Sequence, residues 1–188
     1  SAMVDVEVLA TPIEGLQVVQ RTVHHDERGS FERLFDLGWP AAAGGSGAVV
    51  QVNRSYTASE GTVRGLHFQY PPAAETRLVT CLSGAVFDVA VDLRHRSPTF
   101  LRWHGVELSA GSGTTFVIPR GCAHGFQTLT GESTLLYVHD GSYVPGEEGG
   151  IHPEEALVGV VWPLPVDGLS DRDAHHPPLD SEWEGLRL

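Results

Sequence analysis

The stretch Gly113-Thr114-Thr115-Phe116-Val117-Ile118-Pro119-Arg120-Gly121-Cys122-Ala123-His124-Gly125-Phe126 decides how this chain is read. Thr114 to Ile118 is a short β-rich run, Pro119-Arg120-Gly121 is a turn, and a β-rich run resumes at 125–128. The pattern is strand, tight turn, strand, with a histidine just past the turn.

The same punctuation continues on both sides. Leu78–Leu82, Ala85–Leu93, Arg102–Leu108 and Thr134–His139 are further β-rich runs, separated by Gly84, Gly111-Ser112-Gly113 and Gly131. Upstream, Val49–Ser55 alternates as a strand does and puts Gln51, Asn53 and Ser55 on one face. Residues 4–24 read as strands broken at Thr11-Pro12 and Glu14-Gly15. Asp26-Glu27-Arg28-Gly29 is a turn, and Ser30–Phe35 is extended. The small-residue stretch at 40–48 is a loop rather than a linker, since no separate core follows it. Pro153–Leu157 reads as a short helical turn. Many short strands at close spacing predict an all-β sandwich or barrel.

Composition narrows the function. The chain has 188 residues, enough for one domain with a real core, expected over 4–188 with residues 1–3 a cloning remnant. With 22 glycines, 12 prolines and 19% charged residues it is rich in turns, yet 41% hydrophobic and so not disordered. The formal charge is −12, and all 12 bases are arginine. That excludes lysine chemistry and argues against a nucleic-acid partner, whose affinity rests on a basic surface. An anionic ligand would need a few placed arginines. No apolar run reaches the length of a membrane span, and no secretory signal is visible. Cys81 and Cys122 do not make a disulfide framework, so a reducing cytoplasm is the expected location.

Four motifs could carry chemistry. In Arg64-Gly65-Leu66-His67-Phe68-Gln69, His67 is either a base at a barrel mouth or a surface loop histidine. Gly113, five residues, then Pro119-x-Gly121-x-x-His124 resembles the second motif of the cupin barrel, where the histidine opens an inward-facing strand. In metal-binding cupins that histidine is a ligand, but the partner motif fails here. The matching place reads His67-Phe68-Gln69, and Glu75 stands at the wrong spacing. Two histidines fall short of a stable site. The expectation is therefore no metal, with His124 packing or touching substrate. Tyr137, in Leu135-Leu136-Tyr137, is either core or a functional phenol, with Tyr143 and Glu148 beyond it. In Leu169-Ser170-Asp171-Arg172-Asp173, Ser-x-x-Asp is a helix cap, or Asp173 orients a distant histidine. His24, His25, His95, His104, His139, His152, His175 and His176 are read as surface residues; adjacent side chains diverge, so His175-His176 is a poor chelate.

The ordered set is more specific than any one motif. DERGSFE at 26–32, QVNRS at 51–55, RGLHFQ at 64–69, VFDVAVDLRHRSPTF at 86–100, IPRGCAHGF at 118–126, the two tyrosines, Trp162-Pro163 and LSDRD at 169–173 come in sequence. Together, over roughly residues 10–178, the chain resembles the dTDP-4-dehydrorhamnose 3,5-epimerase family of the cupin superfamily.

That resemblance implies a cupin-type double-stranded β-helix, or jelly roll, with short helical segments near the C-terminus. It implies epimerisation of a dTDP-linked 4-keto-6-deoxyhexose at C3, C5 or both, without metal or organic cofactor. His67 matches the family's base, Asp173 the carboxylate that holds it, and Tyr137 the acid on the opposite face. Arg77 stands where most members carry lysine near the keto oxygen. Arginine keeps the charge but cannot deprotonate, so it can stabilise an enolate and cannot be its base. Arg28, Arg64, Gln51 and Asn53 match positions that hold the nucleotide, while Phe31, Glu32, His124, Tyr143, Glu148 and Trp162 match other cleft positions. Gly149-Gly150 departs from the family, where a basic residue often precedes the glycine. Members are homodimers with exchanged N-terminal strands, so residues near Arg28 would serve the partner's site.

The arginine-only, Gly- and Ala-rich composition points to a GC-rich genome and favours an antibiotic-sugar epimerase over a housekeeping one. Two rivals remain at this stage. A metal-dependent cupin oxygenase or isomerase would carry stoichiometric metal. A non-catalytic sugar-binding cupin would not need His67, Tyr137 and Asp173 together.

Overall fold

The computed structural model describes residues 6–39 and 45–188; the expected cloning remnant and part of the loop at 40–48 lie outside the described residues. The first of two antiparallel sheets orders β1 (Val6–Ala10), β2 (Gln17–Arg21), β10 (Thr114–Ile118), β7 (Arg77–Ser83), β12 (Ser133–His139) and β5 (Gln51–Thr57). The second orders β13 (Glu148–Gly150), β6 (Val63–Gln69), β11 (Cys122–Thr128), β8 (Ala85–Asp92) and β9 (Trp103–Ser109). A separate hairpin pairs β3 (Val23–Asp26) with β4 (Gly29–Glu32) around the expected turn. The expected cupin-type jelly roll is what forms.

Strand alternation explains how the sheets pack. Inward residues of the first sheet, Val79, Phe116, Ile118 and Leu135, meet Val86, Ala90, Leu108 and Phe126 of the second. The second sheet is also covered on its outer face. Leu66, Phe68, Val89, Val91 and Ala123 pack there against Ile151, Leu186 and the partly buried Trp162 and Trp183 of the C-terminal segment. Burial on both faces is why β11 is buried at every position and why the run 85–93 reads as nearly continuous apolar sequence.

Some boundaries move from the sequence expectation. β11 starts at Cys122 rather than Gly125, because Cys122, Ala123 and His124 pair with Asp92, Val91 and Ala90. Ladder pairing overrides the turn signal. Pro153–Leu157 forms turns tied by Glu155, whose carboxylate accepts from the N–H groups of Leu157 and Leu179. Among the described residues, helix is confined to the 3-10 turn Pro145–Glu147 and the one-turn α1 (Asp171–Ala174). β1 and β2 pair within the chain's own first sheet.

Two glycines set the position of the chemistry. A Cβ on Gly65 would lie 2.6 Å from the Gly125 Cα, and one on Gly125 would lie 2.8 Å from the Arg64 carbonyl oxygen. β6 and β11 therefore approach here at backbone distance, at the bulge between His124 and Phe126. Cys81 and Cys122 are buried and free, and burial pushes both thiols up, Cys122 to about 12. Among the described residues no helix is long and apolar enough to cross a membrane.

Candidate active site

The roll holds a cavity of about 290 Å³ lined mostly by polar and charged side chains. Its lining includes Asn53, Arg54, Ser55, Arg64, His67, Arg77, His124, Phe126, Tyr137 and His139. The register explains the convergence. His139 pairs with Gln51 and Arg77, Tyr137 with Asn53 and Val79, and His67 with His124.

His67 Nε2 lies 2.6 Å from Asp173 Oδ1, and the Gly65 N–H donates to Asp173 Oδ2 at 3.0 Å. The carboxylate is 4% exposed. Its burial opposes ionisation, but the bonds from His67 and Gly65 and the nearby Arg172 charge outweigh that and hold Asp173 below the ordinary carboxylate range. Donation from Nε2 to an ionised carboxylate leaves the lone pair of neutral His67 on Nδ1. Both readings of Ser-x-x-Asp hold. Ser170 caps α1 by accepting the Asp173 N–H at 3.1 Å, and that cap presents Asp173 to His67.

A second dyad lies deeper. His124 Nε2 is 2.6 Å from Asp88 Oδ1, and both residues are buried. Burial drives both toward their neutral forms, raising Asp88 and lowering His124. Sequence reasoning passed over Asp88; the available signal was an acid at an inward position of an apolar strand, VFDVAVD at 86–92.

Tyr137 OH bonds Ser55 Oγ at 3.0 Å, and its ring meets His124 edge-on at 6.0 Å. Burial raises this phenol to about 12 although the Ser55 bond works against the shift. Tyr137 also stacks on His139. His139, read as a surface residue, is buried: its Nδ1 lies 3.1 Å from Glu75 Oε1 and its Nε2 3.2 Å from Asn53 Nδ2. The same Glu75 oxygen accepts from Arg77 at 3.2 Å. Glu75, set aside on spacing as a metal ligand, thus anchors the cation at the cavity wall.

At the rim, Tyr143 donates to Glu148 at 2.9 Å, Arg172 pairs with Glu148 at 2.7 Å, and Gln51 accepts the Tyr143 N–H at 2.9 Å. Burial works against Glu148's charge, but Tyr143 and Arg172 hold its carboxyl low. Arg64 lines the cavity and donates to the Tyr56 carbonyl.

Four expected residues stand apart from this cluster. Arg28, paired with Asp26, Phe31, 71% exposed, and Glu32, paired with Arg21, sit on the β3–β4 hairpin. Trp162 lies behind the second sheet, donating to the Pro153 carbonyl at 2.8 Å and packing on Phe87.

Comparison with known proteins finds relatives over nearly the whole chain. A Mycobacterium tuberculosis dTDP-4-dehydrorhamnose 3,5-epimerase is 44% identical over 173 residues, covering 89% of this chain and 85% of that protein. NovW, a 4-keto-6-deoxy sugar epimerase from the novobiocin biosynthetic gene cluster of Streptomyces spheroides, superposes with a TM-score of 0.83 at 35% identity, covering 92% and 89%. An epimerase from Legionella pneumophila, solved with dTDP-4-keto-L-rhamnose, superposes at 0.84 with 37% identity and 90% of each chain. The family model for dTDP-4-dehydrorhamnose 3,5-epimerase matches residues 10–181, and the chain belongs to that family.

Proposed function

We propose that this epimerase inverts C3, C5 or both of a dTDP-4-keto-6-deoxyhexose, with His67 as base and Tyr137 as the acid on the opposite face. One observation carries the reading. An imidazole locked by a buried carboxylate and a phenol held protonated line the same small cavity.

A C–H next to the C4 ketone is acidic enough for a side-chain base. His67 Nδ1 takes that proton, and the C–H electron pair moves into the ring to give an enolate with its charge on O4. The Arg77 guanidinium, braced by Glu75, offsets the developing charge. Tyr137 delivers its proton to the other face of the carbon, which inverts the centre. His67 then returns its proton to solvent, and Tyr137 is reprotonated through the cavity. Only side chains take part. The cavity is large enough for the hexose, and the nucleotide lies along the open rim near Gln51, Asn53, Arg64 and Tyr143. The β3–β4 hairpin with Arg28 and Phe31 completes the neighbouring site in a homodimer.

The chemistry does not favour a sugar-binding module, because binding alone needs no base–acid pair. Incubation with dTDP-4-keto-6-deoxyglucose in D₂O, followed by NMR, tests the proposal. Deuterium at C3 alone identifies a 3-epimerase, and deuterium at C3 and C5 a 3,5-epimerase. No exchange at either carbon overturns the reading for this substrate.

A further inference from the structure

The sequence suggested that His176 was a surface residue paired uselessly with its neighbour. The fold instead turns it inward, onto the dyad. His176 Nε2 lies 3.6 Å from Asp173 Oδ1, the oxygen that also holds His67. The donor atoms of His67, Asp173 and His176 all fall within 4.8 Å of one another. Nε2 of His176 is buried with no hydrogen-bond partner, and a buried polar atom in that state calls for an occupant. The ring's seat is made by Gly150: a Cβ there would fall 2.2 Å from His176 Nε2.

We propose that His67, Asp173 and His176 form a latent site for a borderline divalent cation of the Zn²⁺ or Co²⁺ class, and that filling it silences the base. Two imidazoles and a carboxylate are a ligand set that such ions take, with bonds of about 2.0–2.2 Å. Tetrahedral geometry then spaces the donor atoms about 3.4 Å apart. The His176–Asp173 separation is already close to this, and the His67–Asp173 contact must open by less than an ångström. Arg172 NH2, 3.3 Å from His67 Nε2, must also leave. It is 54% exposed, so its long stem can swing into solvent. Metal on Nε2 moves the imidazole proton from Nε2 to Nδ1. The lone pair that takes the sugar proton is then gone, with no net proton change. The site is thus regulatory and lies at the barrel mouth, apart from the His124–Asp88 dyad.

The binding arm needs no substrate; the inhibition arm rests on the epimerase reading. Chelator-treated protein is titrated with Co²⁺ and followed by its visible d–d absorption. One Co²⁺ per chain is expected, with affinity reduced about tenfold or more in His176→Ala. Gly150→Ala keeps the histidine but fills its seat, and should weaken binding similarly while thermal melting shows both variants folded. Zn²⁺ should inhibit D₂O exchange in the wild type, reversibly with EDTA, and much less in His176→Ala, each measured against its own metal-free rate. Absent Co²⁺ binding, or binding that His176→Ala leaves intact, overturns the site. A normal Co²⁺ signature in a protein that exchanges no dTDP-4-keto sugar leaves the site standing and removes the epimerase reading instead.

Discussion

His67 and His124 face each other across the β6–β11 ladder, and each is held by its own carboxylate at 2.6 Å. The two dyads differ in access. His67 is partly exposed at the cavity, whereas His124, which also lines it, is buried together with Asp88. His67→Asn should lower C3/C5 deuterium exchange by at least about 10²–10⁴-fold with dTDP binding retained. His124→Asn should instead lower stability by about 1–3 kcal/mol by leaving Asp88 without its partner. Chemical denaturation beside NMR exchange separates the two; His67→Asn with wild-type exchange removes it as the base.

Asp173→Asn tests the lock. The amide still fills the space but cannot serve as an anionic acceptor for the His67 Nε2–H and the Gly65 N–H together. We expect kcat to fall by about 10³-fold or more with KM little changed, since a wrong tautomer removes the base without moving the sugar. The ionised Asp173 also contributes to folding. Its carboxyl is held low in the native state, so that contribution is present above the unfolded value and is lost as pH falls through the native one. Acid unfolding of Asp173→Asn should lack that component; an acid limb identical to the wild type would count against it.

Tyr137 should remain protonated far into alkali. A phenol raised to about 12 keeps its proton where unfolded tyrosine loses it near 10, so stability falls as pH rises between those values, by about 1.4 kcal/mol per unit. Ultraviolet phenolate titration of the wild type minus Tyr137→Phe should isolate one group ionising near 12. In Tyr137→Phe, inversion should fall more than deuterium exchange, because His67 can still remove and return a proton on its own face. Equal loss of both would argue against Tyr137 as the acid.

Much of this was legible in sequence because it depends on local pattern. Turn residues fixed most strand breaks, and Gln51, Asn53 and Ser55 alternate onto the face that pairs with Tyr137 and His139. What escaped depends on long-range closure. His139 looked like one more scattered histidine, since only pairing with β7 brings it beside Glu75 and Arg77. Asp88 was hidden in an apolar run whose two-sided burial needs the C-terminal cover in place. His176 depended on Gly150, 26 positions earlier in the chain, being small enough to admit its ring. Trp162 was assigned to the cleft, but its apolar ring finds Phe87 on the opposite face of the second sheet.

Arg77 can be judged against lysine. Glu75 Oε1 braces both Arg77 and His139, so the guanidinium is held by a buried carboxylate rather than by the sugar. Arg77→Lys should keep exchange within about tenfold of wild type, because charge near O4 survives, whereas Arg77→Ala should lose about 10²–10³-fold. Glu75→Gln should lie between them, with the loss in kcat rather than in dTDP affinity. Single-turnover exchange and calorimetric dTDP binding together check this; an Arg77→Ala enzyme as fast as Arg77→Lys would show that charge at this position does not matter.

The hairpin makes the sharpest test of subunit arrangement. Arg28 and Phe31 are exposed on β3–β4, while His67 lines the cavity of the main body. If the hairpin serves the neighbouring subunit, an Arg28→Ala chain lacks nucleotide affinity at its partner's site and a His67→Asn chain lacks the base at its own. In a mixed dimer, the Arg28→Ala chain supplies His67 and the His67→Asn chain supplies Arg28, so one of the two sites is intact. Each variant alone should be weak or inactive. Co-refolding or subunit exchange of the pair should restore activity toward a quarter of wild type, since half the dimers are mixed and each has one good site. Sedimentation should show a dimer throughout. If mixing restores nothing while heterodimers are demonstrably present, Arg28 acts in its own chain or not at all, and the exchanged-hairpin arrangement fails.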